Sequence, residues 1–206
     1  MTVSQATVFI VDDDSSVRSA LERLVTSVGL EAQTFASARD FMEEDHPEMP
    51  RCLVLDMRMP GLSGLDLQEK LASAGLNMPI IFITGHSSVP MSVRAMKAGA
   101  VDFLEKPFDD QALLDGIQQA IRQDRQAHQE QMEIVEIQRK VDSLTPRERE
   151  VLALVVQGML NKQIARELGI SEKTVKVHRA RVMQKIAAES LADLVRSAYK
   201  VGISGS

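Results

Sequence analysis

Asp12 and Asp13 follow the apolar run Thr7 to Val11, and Asp56 follows Cys52 to Leu55. Thr84 and Lys106 follow two further runs, Pro79 to Ile83 and Val101 to Glu105. Carboxylates clustered without His or Cys favour a hard cation held through oxygen, and magnesium takes only one or two of them while keeping several waters. Once such an ion neutralises the acids, a phosphate can enter a pocket that would otherwise repel it. The remaining oxygen of Asp56 can then attack phosphorus in line, with the ion and Lys106 facing the equatorial oxygens and Thr84 donating a hydrogen bond. Taken singly, each residue has a plainer reading. Aspartates after strands often cap helices, and Asp14 or a neighbour suits that role. What favours chemistry is their joint placement at the ends of four runs.

The elements that must position these residues follow from the pattern. Apolar runs without polar alternation, bounded in the Asp56 case by Pro50 and Pro60-Gly61, predict strands buried on both faces of a parallel sheet. In open α/β sheets the ligand crevice lies at the carboxyl ends of the strands, which is where these polar residues fall. Ser15 or Ser16 is expected to cap a first helix carrying Val17, Ala20, Leu21, Leu24, Val25 and Val28 on one face. Glu31 to Phe35 alternates like a strand, and Ser37 opens a short helix. Helices are further expected over Gly64 to Ala74, over Val89 to Ala98, and from Asp109 onward. Five strands alternating with five helices predict a doubly wound α/β domain over residues 1–122.

Composition points to a second domain with a different partner. The chain has 206 residues, 44% of them hydrophobic, and its 3% aromatic content leaves little for base-stacking platforms. Its net charge of −5 is uneven: residues 143–206 hold 11 Lys/Arg against 6 Asp/Glu, which leaves 13 against 23 for residues 1–142. An acidic front and a basic back imply two units. The lone Cys52 excludes an intramolecular disulfide, and no apolar run approaches the ~18 residues that span a bilayer. The expectation is a soluble, cytoplasmic protein with no membrane partner.

Residues 123–142, rich in Gln, Glu and Arg, read as a helical linker extending the preceding helix; Asp124 and His128 interrupt any coiled-coil seam. Residues 143–206 read as four helices. Thr145-Pro146-Arg147-Glu148 is a strong helix start, Asn161 to Leu168 follows, and Gly169-Ile170-Ser171 turns into a helix rich in Lys and Arg. That is a helix-turn-helix pattern, in which the third helix of the domain would enter the major groove. It would present Lys173, Lys176, Val177 and Arg179 to base edges, with Lys162, Thr174 and Arg181 placed for phosphates. Residues 202–206 read as a flexible tail.

Val11-Asp12-Asp13-Asp14, Leu55-Asp56-Met57-Arg58-Met59-Pro60-Gly61, Ile83-Thr84-Gly85 and Glu105-Lys106-Pro107-Phe108 together resemble the receiver domain of two-component response regulators, a flavodoxin-like (βα)5 fold. The resemblance implies that Asp56 is the phosphoacceptor. It also implies that Asp12, Asp13, Asp56 and the backbone carbonyl of Arg58 bind Mg2+, and that Thr84 and Lys106 contact the phosphoryl group. Phe103 falls at the family's aromatic switch position, and a cis Lys106-Pro107 bond is expected.

Leu144-Thr145-Pro146-Arg147-Glu148, Asn161-Lys162-Gln163-Ile164-Ala165 and Ile170-Ser171-Glu172-Lys173-Thr174-Val175-Lys176-Val177-His178 resemble the DNA-binding domain of the LuxR/FixJ class. By that resemblance base contacts fall near Lys176, Val177 and Ala180, and the last helix carries a dimer contact through Leu191, Leu194, Val195 and Tyr199, residues that equally suit the domain's own core. The implied partners are a sensor histidine kinase, promoter DNA, RNA polymerase and a second copy of the chain when phosphorylated. The implied role is that of a transcriptional activator rather than an enzyme. Two rival readings are a phosphohydrolase, which would need an acid where Arg58 stands, and a receiver that binds metal without accepting phosphate.

Overall fold

The computed structural model describes residues 6–44, 46, 50–85 and 89–204. The chain divides into two compact units, Met1–His128 and Gln129–Ser206. In the first, strands β1 (Thr7–Val11), β2 (Glu31–Phe35), β3 (Arg51–Asp56), β4 (Ile80–Thr84) and β5 (Asp102–Glu105) form one parallel sheet in the order β2-β1-β3-β4-β5. Helices α1 (Ser15–Ser27), α2 (Ala38–Glu43), α3 (Gly64–Ser73), α4 (Val89–Lys97) and the start of α5 (Asp110–Asp142) connect or follow the strands.

Why the three inner strands β1, β3 and β4 carry no polar alternation is clear from their two faces. Val8, Ile10, Cys52, Val54, Ile81 and Ile83 pack with Leu21 and Val25 of α1 and Leu113 and Ile117 of α5. The alternate residues Phe9, Val11, Leu53, Leu55 and Phe82 pack with Phe41 of α2, Leu67 and Leu71 of α3 and Ala95 of α4. Both faces are therefore covered, as a parallel sheet requires. Register aligns Val11 with Leu55, Asp56 with Ile83 and Thr84 with Glu105, so the four strand ends that carry polar chemistry open on one edge.

Of the two capping readings for α1, the structure takes the aspartate: the cap is Asp14 rather than Ser15 or Ser16, and its carboxylate accepts from the Ser16 amide at 2.7 Å and from the Ser16 hydroxyl at 2.6 Å. Asp14 is the last residue with extended dihedrals, so its side chain alone reaches back over the first turn. At the other end of the unit, Asp124 is buried and accepts the Arg51 amide of β3 at 2.8 Å. The residue that breaks the heptad pattern thus ties its helix to the first unit's sheet.

Gly64 opens α3 where that helix crosses the end of β3, and a Cβ there would stand 2.5 Å from the Asp56 carbonyl oxygen and 3.1 Å from Met57 Cα. The obstacle is backbone, which cannot rotate away. Gly64→Ala is therefore expected to destabilise the first unit by about 1–3 kcal/mol and to displace Asp56. Urea unfolding measures the first effect, and the rate of phosphoryl labelling by a small-molecule donor measures the second.

The second unit is helical. It contains the end of α5, then α6 (Pro146–Val156), α7 (Asn161–Leu168), α8 (Glu172–Ile186) and α9 (Leu191–Lys200). Its core joins Ile137 and Val141 of α5 to Val151, Leu152, Ile164, Val175, Val182, Ile186, Leu194 and Ala198. Residues 123–142 are thus the second half of one uninterrupted helix. Thr145 and Glu148 form a reciprocal capping box at the start of α6. Gly169, at φ +65°, ends α7 in the left-handed conformation, and Ser171 caps α8 three residues before Thr174. Gly202 and Ile203 are not a loose tail: the Ile203 amide donates to Ala198 O at 3.0 Å and its side chain packs on the core. Residues 205–206 lie outside the described residues. Among those described, no helix is long and apolar enough to cross a membrane.

Candidate functional site

At the carboxyl edge of the sheet, Asp12, Asp13 and Asp56 each place a carboxylate oxygen within 4.8 Å of the others. Asp12 and Asp56 are buried and Asp13 is exposed, so the cluster has one wet side. The Asp12 Oδ1 atom accepts the Asp14 amide at 2.9 Å, and its backbone carbonyl takes Arg18 Nη1 at 2.7 Å. Lys106 Nζ lies 2.7 Å from Asp12 Oδ2 and 3.8 Å from Asp56 Oδ1. The Lys106-Pro107 bond is cis, as expected. Thr84 is fully buried at the end of β4, and its carbonyl accepts the Lys106 amide at 2.8 Å.

Burial pushes the Asp56 carboxyl above its ordinary range; Lys106 and the Arg58 backbone N–H oppose this, while the charges of Asp12 and Asp13 add to it. The carboxylate is thus short of positive charge. An all-oxygen cluster without His or Cys suits a hard divalent cation, and such an ion would relieve that shortage. Phe103 pairs in register with Phe82 and is partly buried against the core that includes Phe82 and Leu55.

On the second unit, α8 has a sharply divided surface. Val175, Val182 and Ile186 are buried, whereas Lys173, Lys176, Val177, Ala180 and Arg181 are exposed. Lys173, Lys176, Val177 and Ala180 follow the three-and-four spacing of a single stripe, which is the geometry that can enter a groove. Thr174 is half-buried, its hydroxyl 2.8 Å from that of Ser171 and its amide capped by Ser171. Lys162 is exposed at the start of α7. Arg179 departs from the sequence expectation: it is half-buried and its Nη1 donates to Asn161 Oδ1 at 2.8 Å.

Comparison with known proteins finds a family match in each unit. Residues 8–118 match the response regulator receiver domain, and residues 142–198 match the luxR family of bacterial regulatory proteins. The chain belongs to the response-regulator family. It is 50% identical to Nodulation protein W of Bradyrhizobium diazoefficiens over 98% of this chain and 89% of that one. It is 43% identical to the transcriptional regulatory protein FixJ of Azorhizobium caulinodans over 96% and 93% of the two chains. Among solved structures, the response regulator StyR superposes with a TM-score of 0.84 at 52% identity, covering 95% of this chain and 99% of that one. Full-length FixJ from B. japonicum matches at 40% identity with a TM-score of 0.57, over 98% and 99% of the two chains. The fold is a flavodoxin-like receiver joined to a helical luxR-type domain, and the relatives are transcriptional regulators of two-component systems.

Within this response regulator the last helix divides the expected dimer residues. Leu191 and Tyr199 are exposed at 49% and 53%, and Val195 is half-buried. Leu194 is only 1% exposed and belongs to the unit's own core, so it cannot face a second copy. Its spacing to Ala198 puts both on the inward face of α9. Sequence reasoning missed Arg18, Gly64 and Asn161. Gly64 at a helix start had a detectable signal, since a helix former is cheaper there unless something crowds the position.

Proposed function

We propose that this response regulator accepts a phosphoryl group on Asp56 from a sensor histidine kinase, in the cytoplasm, and that the modified chain binds promoter DNA as a homodimer. The observation that carries this reading is the convergence of three strand-end carboxylates beside Lys106, in a chain that also bears a helix-turn-helix. Asp12, Asp13, Asp56 and the Arg58 carbonyl would hold Mg2+, which when bound supplies charge neutralisation and alignment for an incoming phosphate. An Asp56 carboxylate oxygen attacks phosphorus, the phosphorus–nitrogen bond to the donor imidazole breaks, and an acyl phosphate forms. Lys106 then exchanges part of its contact with Asp12 for the phosphoryl oxygens, and Thr84 donates its hydroxyl to them. Both changes pull on the ends of β4 and β5, and Phe103 repacks as the equilibrium between two states shifts.

Lys173, Lys176, Val177 and Ala180 form the base-facing stripe of α8, with Lys162, Thr174 and Arg181 toward the DNA backbone. Leu191, Val195 and Tyr199 supply the contact between copies, and RNA polymerase is the downstream partner of an activator. Arg58 leaves no acid two residues after Asp56, so turnover of free phosphate esters is not expected. Treating the full chain with acetyl phosphate and magnesium tests the proposal. The expected result is one added phosphoryl mass, a shift to dimer on size exclusion and tighter DNA binding. An unmodified mass, or modification without any change in assembly or DNA affinity, would refute it.

A further inference from the structure

Arg179 is a cation on the inward side of α8. It lies four residues after buried Val175 and three before buried Val182, so its stem leaves the helix on the inward side. Its guanidinium ends beside the first residue of α7, where Nη1 meets Asn161 Oδ1 at 2.8 Å. No other hydrogen bond or ion pair engages Arg179 among the described residues. A guanidinium has five N–H donors, so most remain free.

The location is costly unless an anion joins it. The start of a helix is the positive end of its dipole, and a cation held there is repelled. The Asn161 and Lys162 amides have no partner among the described residues, because the bonds that close this turn begin at Gln163 and Ile164. Leu160 caps α7 without a side-chain hydrogen bond. Lys162 adds a further exposed cation to the same turn. Free amides, a tethered guanidinium and an ammonium at one helix start suit a single phosphate oxygen cluster, whereas a base edge would require Arg179 to turn outward and break its bond to Asn161.

We propose that Asn161 is a positioning residue: by holding Arg179 against the start of α7, it fixes the guanidinium as a clamp on a backbone phosphate of bound DNA and removes it from base reading. This rests on the reading that the helical unit binds DNA. The test uses the full chain treated with acetyl phosphate and two duplexes, one selected in vitro from a random pool and one scrambled from it. Binding is followed by anisotropy across a range of NaCl concentrations.

Arg179→Ala is expected to weaken both duplexes by about the same factor, roughly tenfold, and to reduce the salt slope by about 0.9. Asn161→Ala should weaken both in the same way, and the double variant should be no weaker than Arg179→Ala alone. Asn161→Asp keeps an acceptor, so Arg179→Ala should still cost affinity in that background. Lys176→Ala, from the outward stripe, should instead lose affinity for the selected duplex only. A loss from Arg179→Ala confined to the selected duplex would make Arg179 a base reader and overturn the proposal. So would an unchanged salt slope, additive effects of the two alanines, or a lower melting temperature for Asn161→Ala without a change in slope. Failure of the wild-type chain to bind either duplex would instead refute the DNA-binding reading itself.

Discussion

Asp56→Asn is expected to abolish phosphoryl labelling by acetyl phosphate and magnesium, and with it the gain in DNA affinity and the shift to dimer. The amide oxygen is a poor nucleophile, and the substitution removes one of three charges that converge within 4.8 Å. The fold should survive, because burial already disfavours the charged form of Asp56 and a neutral isostere relieves that cost. Thermal unfolding of Asp56→Asn is therefore expected to match or exceed that of the wild type while labelling falls to background. Intact-mass measurement decides: a phosphoryl adduct retained at the wild-type level would remove Asp56 from the site. Lys106→Ala should act differently, leaving the nucleophile in place but freeing Asp12 from its 2.7 Å partner. Labelling should persist there while the downstream response is lost.

The largest stability effect is expected at Glu148, in the second unit. Glu148 is only 2% exposed, and its carboxylate takes Lys185 Nζ at 2.7 Å and accepts the Thr145 amide at 2.9 Å. Lys185 also reaches the Ser143 carbonyl at 3.2 Å, so one ion pair joins α8 to the start of α6. Glu148→Ala leaves a cation and a capping amide without their acceptor, at a cost of about 3 kcal/mol. Calorimetry should show the helical unit melting about 10 °C or more below wild type, with Asp56 labelling unaffected.

The same residue sets a pH dependence. The Lys185 ammonium, and next the Thr145 amide, hold the Glu148 carboxyl at about 2, against an ordinary value of 4.5. A carboxyl depressed by folding contributes stability in full above its unfolded value and loses it as pH falls toward its folded value. The acid limb of the helical unit's stability curve between about pH 4.5 and 2 should therefore flatten in Glu148→Gln. An unchanged limb would place the acid sensitivity elsewhere.

The receiver's pocket could be read from the chain because its signals are local. Apolar runs bounded by Pro and Gly state where a buried strand ends, and parallel strands put all those ends on one edge, so the sequence alone assembles Asp12, Asp56, Thr84 and Lys106. The helix-turn-helix was equally local, since Thr145, Gly169 and Ser171 mark starts and stops by their own backbone chemistry. By the same reading Lys173, Lys176 and Val177 face outward; Ala180 is implied by the family resemblance alone, and Arg179, grouped with them, lies inward.

Only the tertiary structure decided which neighbour each side chain meets. Arg179 looked like any other cation of α8 until its inward stem was seen to end on Asn161, eighteen positions earlier in the chain. Leu194 and Leu191 have the same chemistry, yet one is core and the other surface, because packing of α9 on the unit chooses the face. Asp124 reads as a polar interruption in a linker and is in fact the acceptor for a strand amide 73 residues away. Gly64 is a glycine because another backbone crosses it. Periodicity and capping act over a few residues and are written in the sequence; the contacts that tune the site join residues far apart along it, and depend on where the folded chain brings them.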